Sequence, residues 1–345
     1  MTRYFKTIIL SISPLRNYYR YRDSFQIYPI ESDALYGEYA EHTPLYLEYS
    51  VDVPENISDI DLSVATLNKE NEILNLLTTF TSFHLFCYTG YDDRWGFMMP
   101  SISYEKLSEE QKEIWNTQLS SWTQAAVKTK YFIREIEIKH LSDSLEFQKM
   151  PLIEMSEGYF VKVREDEVIR KIAAANGLET IVRFPSTIDQ CFDAYYQLSD
   201  KHKQIVTSSI YLACEGIDVQ RKYKALGFLA IASALEGLTK LLKTSLPKQK
   251  QNGKVEYEKK KILFKQLMSQ YYSDKDYLQN IYEKLYNIRC GITHENELFI
   301  LDYGVTLDED NLQPSVDWLN LMNLTIMFRT VVTNLLTDTK RTNWI

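Results

Sequence analysis

Arg289 and His294 stand five residues apart in "YNIRCGITHENE", residues 286–297, with Gly291 between them. A guanidinium is a fixed cation whose fork matches a phosphate. An imidazole is the side chain whose ordinary pKa lies nearest neutrality, so it carries protons in either direction. Together they would make a phosphate clamp beside a base or acid. The plainer reading is a surface arginine and a helix-capping histidine. On an ideal helix, five residues separate two side chains by about 140°. The two converge only if the helix ends near Gly291, or if another chain supplies the partner group.

Two more residues bear on this pair. "ALEGLTK" places Glu236 and Lys240 four apart. On an exposed helix they would form an ion pair worth about 0.2–0.5 kcal/mol. Their helix is nearly apolar all round, so Glu236 is also placed to be half-buried and to orient Arg289. Downstream, residues 240–265 hold nine lysines and two acidic residues, Glu256 and Glu258, a local balance of nine minus two, or +7. Lys248, Lys250, Lys254, Lys259, Lys260 and Lys261 are the candidates for contacts to nucleic-acid phosphates. The alternative is a solvated loop, as most charge runs are.

The bulk composition narrows the classes. The chain has 345 residues, 45% hydrophobic and 25% charged, with a formal net charge of -8. That suits a globular protein and excludes a general nucleic-acid coating protein, which would be basic. Cys87, Cys191, Cys214 and Cys290 form no CxxC pair, so neither a zinc site nor a disulfide framework is expected. No acidic cluster lies near the Arg/His pair, and no metal or cofactor is expected. No apolar run reaches the roughly 18 residues of a membrane span. The opening "MTRYFKTIILSI" reads as a strand rather than a signal peptide, which places the chain in the cytoplasm and off the membrane. "RNYYRYR", residues 16–22, interleaves arginine and tyrosine either as a base-stacking surface or as an edge strand burying aromatics. His84 and His202 read as satisfied core or interface histidines, and "YDDRWGF" as a turn.

The elements that must position these residues follow from periodicity. "PLYLEYSVDV" alternates, with Leu45, Leu47, Tyr49, Val51 and Val53 on one side. "LNKENEILNLLTTFTSFHLF" reads as a helix with Leu67, Ile73, Leu76, Leu77 and Phe80 inward. A helix capped by Ser108 with Gln111 three later, strands in "YFIREIEIKHL" and "GYFVKVRE", and a helix ending at Gly177 complete the first half. "RFPSTIDQ", residues 183–190, is a seam, and everything beyond it is helical. "FDAYYQLSDKHKQIVTSSIYLACEGIDV" carries Tyr195, Leu198, His202, Ile205, Ser209 and Leu212 on one stripe. "KYKALGFLAIASALEGLTKLLKT" is apolar with small residues, as a central helix needs. After a lysine-rich loop come "EKKKILFKQLMSQYY", a helix capped by Ser273 or Asp274, and one starting at Pro314–Ser315. The fold class is an α+β N-terminal domain, residues 1–185, followed by an all-α C-terminal bundle of about five helices, residues 186–345.

The helix order and motifs of the second half resemble the HEPN superfamily, whose signature is Arg-x4–6-His at the end of an apolar helix. Glu236 and Lys240 match its Glu-x3-Lys element on the second core helix. "SALEGL" followed by "NIRCGITHE" is most similar to the Apea-like branch. The resemblance spans roughly residues 190–337 and leaves the first half unassigned. It implies a metal-independent endoribonuclease with RNA as substrate. Arg289 would clamp the phosphate and His294 would act as base or acid, supported by Glu236 and Lys240. The products would be a 2′,3′-cyclic phosphate and a 5′-hydroxyl. It also implies a homodimer, since the chain holds one motif and the family pairs two, and a role in bacterial antiviral defence or toxin action, with the first domain as sensor or regulator. Cys290 stands where active members often have a polar residue, and Leu241 where a basic residue would extend the second motif. Those departures keep a second reading open, a non-catalytic HEPN-like module that binds a partner protein, nucleotide or RNA.

Overall fold

The computed structural model describes residues 1–11, 15, 17–29, 35–36, 43–81, 84–87, 108–109, 112, 132–133, 139–141, 144–145, 152, 155–156, 184–220, 222–242, 253–273, 275–302 and 313–338. The chain divides into two compact units, Met1–Met155 with Thr180–Phe184, and Ser156–Glu179 with Pro185–Ile345.

The first unit is built on an antiparallel sheet. Its strands are β1 (Thr2–Ser11), β2 (Tyr19–Tyr21), β3 (Phe25–Pro29), β4 (Thr43–Asp52), β5 (Leu85–Cys87) and β6 (Lys139–Leu141). The order is β2-β3-β4-β1, with β5 and β6 sharing the far edge of β1. Leu45, Leu47, Tyr49, Val51 and Val53 are all buried, as the alternation requires. Phe5 lies opposite Tyr49 in the β1–β4 register, and their rings are 5.8 Å apart. Two of the three tyrosines of "RNYYRYR" are core residues: Tyr19 and Tyr21 are buried on edge strand β2, while Tyr18 is half-buried, and Arg20 pairs with Asp23 at 2.6 Å. Tyr19 and Tyr21 are therefore not available as a stacking surface.

Helix α1 (Asp59–Phe80) starts earlier than its apolar pattern suggested, because Ser58 caps it by accepting the Asp61 amide at 3.1 Å. Ile73, Leu76, Leu77 and Phe80 are buried, but Leu67 is 51% exposed. The first half of α1 thus turns its apolar side, Ile60 and Val64 included, to solvent. His84 is buried with its ring 5.1 Å from Phe86. The Ser108 carbonyl accepts the Lys112 amide at 2.8 Å, one turn of backbone where a capped helix was expected. The rest of that helix, the strand in "GYFVKVRE", the helix ending at Gly177 and "YDDRWGF" lie outside the described residues.

The second unit is mostly helical, with α2 (Ile188–Tyr196), α3 (Asp200–Val219), α4 (Lys224–Leu238), α5 (Gly253–Tyr271), α6 (Asp276–His294) and α7 (Gln313–Thr337). The single stripe expected over 192–219 is two helices. Ser199 takes an extended backbone (φ -62°, ψ 153°) and restarts the chain as α3. A new start at Ser199–Asp200 resets the helical phase, so Leu212 is exposed while Val206, Ile210, Ala213 and Ile217 are buried. Helix α4 touches α3, α5, α6 and α7 and buries Phe228, Ile231, Leu235 and Leu238. Each such side chain contributes about 1.5–3 kcal/mol. The α3–α4 approach is close: a Cβ on Gly227 would lie 2.7 Å from the Gly216 carbonyl, so only glycine fits. Among the described residues no helix is long and apolar enough to cross a membrane.

Candidate functional site

Helix α4 presents Glu236 two residues before its end, and α6 crosses it with Arg289. Arg289 Nη2 donates to Glu236 Oε2 at 3.0 Å across 53 residues of sequence. Both side chains are mostly enclosed, 17% and 16% exposed. The pairing is monodentate. Arg289 Nε and Glu236 Oε1 are shut off from solvent and make no hydrogen bond of ordinary geometry among the described residues. Tyr286, one turn before Arg289, is buried beside them. Its phenol is pushed well above its ordinary value, first by burial, then by the charges of Glu236 and Cys290 and a hydrogen bond to Glu236, with Arg289 opposing.

Lys240 does not join the cluster. It is exposed, with no ion pair among the described residues. The reason is local: α4 ends at Leu238 and tightens into a 3-10 turn, Thr239–Leu241. The tighter winding carries residue 240 off the i+4 position, so Glu236 takes its cation from α6 instead.

His294 is the last residue of α6 and is exposed. The helix does not stop at Gly291. It runs through it, and the Gly291 carbonyl accepts the amides of Glu295 at 2.9 Å and Glu297 at 3.2 Å. Asn296, at φ 56°, makes the left-handed turn that ends the helix. Gly291 leaves space for the Glu297 carboxylate, which lies where a Cβ would stand. Because α6 is continuous, Arg289 and His294 diverge by about 140° and about 7.5 Å along the axis. Arg289 faces α4 while His294 faces solvent, so the route to convergence through a helix end at Gly291 is closed. The cap of α6 is also displaced: Lys275 is the N-cap, and Ser273 accepts through its carbonyl from the Tyr282 hydroxyl at 3.0 Å.

The lysines are divided. Helix α5 begins at Gly253, five residues before the start expected at Glu258, so Lys254 joins Lys259, Lys260 and Lys261 on the helix. Lys260 is exposed. Lys261 and Lys265 are tied to Glu283 of α6, Lys265 at 2.9 Å. Hydrogen bonds from Lys261 and then Lys265 hold the Glu283 carboxyl down at about 2. Lys248 and Lys250 lie outside the described residues. Among the described residues, no three His, Cys, Asp or Glu side chains gather as a metal-ligand set.

Sequence reasoning missed Asp302. Its carboxylate accepts the amides of Lys224 at 2.6 Å and Ala225 at 2.9 Å, capping α4 from 78 residues away. Phe299 stacks edge-on against Phe228 at 5.4 Å. These contacts moor the segment that follows His294, and nothing local in the sequence announces them. Asn296 had a signal, an asparagine just past the last helical residue. No family model, no curated protein and no solved structure matches this chain.

Proposed function

We propose that the helical unit is a metal-independent endoribonuclease that works as a pair of copies. The observation that supports it most is the Glu236–Arg289 ion pair, which joins the two motif elements across 53 residues. A carboxylate on a rigid helix fixes one edge of the guanidinium and leaves other donors for a phosphate. His294, exposed at the helix end, takes the proton of the RNA 2′-hydroxyl or returns one to the departing 5′-oxygen. The 2′-oxygen attacks phosphorus, the bond to the 5′-oxygen breaks, and a 2′,3′-cyclic phosphate and a 5′-hydroxyl result. Since Arg289 and His294 diverge on one helix, the phosphate is held between two chains, Arg289 from one and His294 from its partner. Lys254, Lys259 and Lys260, with Lys248 and Lys250, would follow the RNA backbone, while Lys261 first serves the link to Glu283. The defence or toxin role and a sensing role for the first unit rest on the family resemblance.

A second reading draws on the same divergence: a non-catalytic module that binds a partner protein, nucleotide or RNA, with Arg289 as a structural cation. RNA cleavage in EDTA separates the two. Wild type is expected to yield cyclic-phosphate ends, and Arg289→Ala and His294→Ala to lose about 10²–10⁴-fold in rate. A folded, dimeric protein that leaves RNA intact would favour the binding module.

A further inference from the structure

Lys261 and Lys265, one turn apart on α5, close on a single carboxylate, Glu283 of α6. Lys261 donates to one of its oxygens and Lys265 to the other, the second at 2.9 Å. The helices behind them are pinned together. Phe264, between the two lysines, is buried with its ring 5.5 Å from that of Tyr286, and Gln279 Nε2 donates to Ser269 Oγ at 2.5 Å. The charged side chains in front are open: Glu283 is 41% exposed, Lys265 30% and Lys261 26%. Two ammonium groups that each take one oxygen of an exposed anion would hold the two non-bridging oxygens of a phosphodiester in the same way.

The place of Glu283 on α6 ties this cradle to the Arg/His motif. Glu283 and His294 are eleven residues apart on one continuous helix. That spacing is about 20° of rotation and about 16.5 Å of rise, so the two share a face. Asn287 and Cys290 lie between them on that face, and neither is acidic. The Glu297 carboxylate lies to one side, over Gly291. The helices run antiparallel, with residue 269 meeting 279 and residue 264 meeting 286. Carried on, that register brings the first turn of α5, which holds Lys254, level with the end of α6.

We infer that Lys261 and Lys265 form a distal phosphate subsite for single-stranded RNA whose scissile phosphate lies at His294, and that Glu283 is its built-in competitor. The choice of RNA rests on the endoribonuclease reading. In the free protein the Glu283 carboxylate fills the cradle. An RNA phosphate displaces it, anion for anion, because exposed ion pairs hold weakly. Glu283 thereby sets the affinity: a strand too short to reach the cradle gains nothing there, and a longer one must outcompete the carboxylate. Good binding therefore requires RNA to extend a few nucleotides beyond the scissile bond.

The test is fluorescence anisotropy of a labelled single-stranded RNA with the full chain over a series of salt concentrations. The RNA is 2′-O-methylated throughout, so that no internal nucleophile remains. Glu283→Gln is expected to tighten binding about tenfold and to steepen the slope of log affinity against log salt by about 0.7–1.4, the counterion release of one or two more phosphate contacts on a single strand. Lys261→Ala with Lys265→Ala is expected to weaken binding about tenfold, and adding Glu283→Gln to that pair to change nothing further. Glu215→Gln, the same change of charge at an exposed position of α3, is expected to leave binding as it is. Equal gains from Glu283→Gln and Glu215→Gln would reduce the effect to net charge and overturn the proposal, as would a folded Glu283→Gln that binds no better than wild type. If Glu283→Gln misfolds, the lysine pair decides in its place, and unchanged affinity overturns the subsite. Cleavage of unmodified RNA in EDTA keeps the two readings apart. Tighter binding by Glu283→Gln with no cleavage by any form would remove the enzyme and leave the subsite standing. Cleavage with binding indifferent to Glu283 and both lysines would do the reverse.

Discussion

Each unit of the protein encloses a carboxylate beside a cation, and the two are settled very differently. In the sheet, Glu48 is fully buried, and the register sets it between Lys6 on β1 and Gln26 on β3. It accepts from Gln26 Nε2 at 2.7 Å and from the Tyr28 hydroxyl, with Lys6 Nζ at 3.4 Å. The Lys6 ammonium also lies 4.3 Å from the centre of the Tyr46 ring. In the helical unit, Glu236 accepts from Arg289 at 3.0 Å and faces the buried Tyr286 phenol, a smaller donor set on a half-buried carboxylate. A buried carboxylate with several donors is a structural lock, because every partner gains from staying put. One that is half-buried, with fewer donors, is held less firmly.

That contrast breaks if the two carboxylates respond alike to removal. The largest expected effect is in the sheet. Glu48→Ala leaves Gln26, Tyr28 and Lys6 without their acceptor and should cost about 3–5 kcal/mol, measured by urea unfolding. Glu236→Gln should cost less, about 1–3 kcal/mol, because the pair is partly exposed and the amide still accepts one bond. Under the proposed endoribonuclease activity, its cleavage rate should fall further than the lost stability accounts for, since the guanidinium loses the charge that aims it. Equal losses in stability, with cleavage untouched, would make Glu236 another structural lock.

The smallest effect lies in the clip between α5 and α6. The folded Glu283 carboxyl, at about 2, lies below its ordinary value of 4.5. A depressed folded value means the ionised form is favoured in the native state. The contribution is therefore complete above about pH 4.5 and fades as pH falls towards 2. Acid unfolding of wild type and Glu283→Gln should differ near neutrality and converge in that window. The clip is exposed, so salt should shrink the difference.

Legibility followed range. Alternation over 45–53 predicted a strand face that is buried at every position, because the two-residue period is a local property of the backbone. The apolar, small-residue pattern of 224–238 likewise marked the helix that four others surround. Phase errors came where a restart had no apolar signature: Ser58 moved the start of α1, and Ser199 split one expected helix into two. In the site, the residue types and the spacing of Arg289 and His294 were plain, and so was the match of Glu236 to them.

The amino-acid order by itself determined the buried strand face of residues 45–53, the apolar central helix at 224–238, and that a guanidinium and an imidazole lie five residues apart. Tertiary structure alone decided who meets whom. Glu236 turned from Lys240 to Arg289 because a tightened turn moved one lysine and a crossing helix delivered an arginine. Arg289 and His294 parted because α6 continued through Gly291, and Asp302 capped a helix 78 residues away. Local patterns record what each residue requires from its surroundings. Only the path of the chain through space selects the neighbour that meets the requirement.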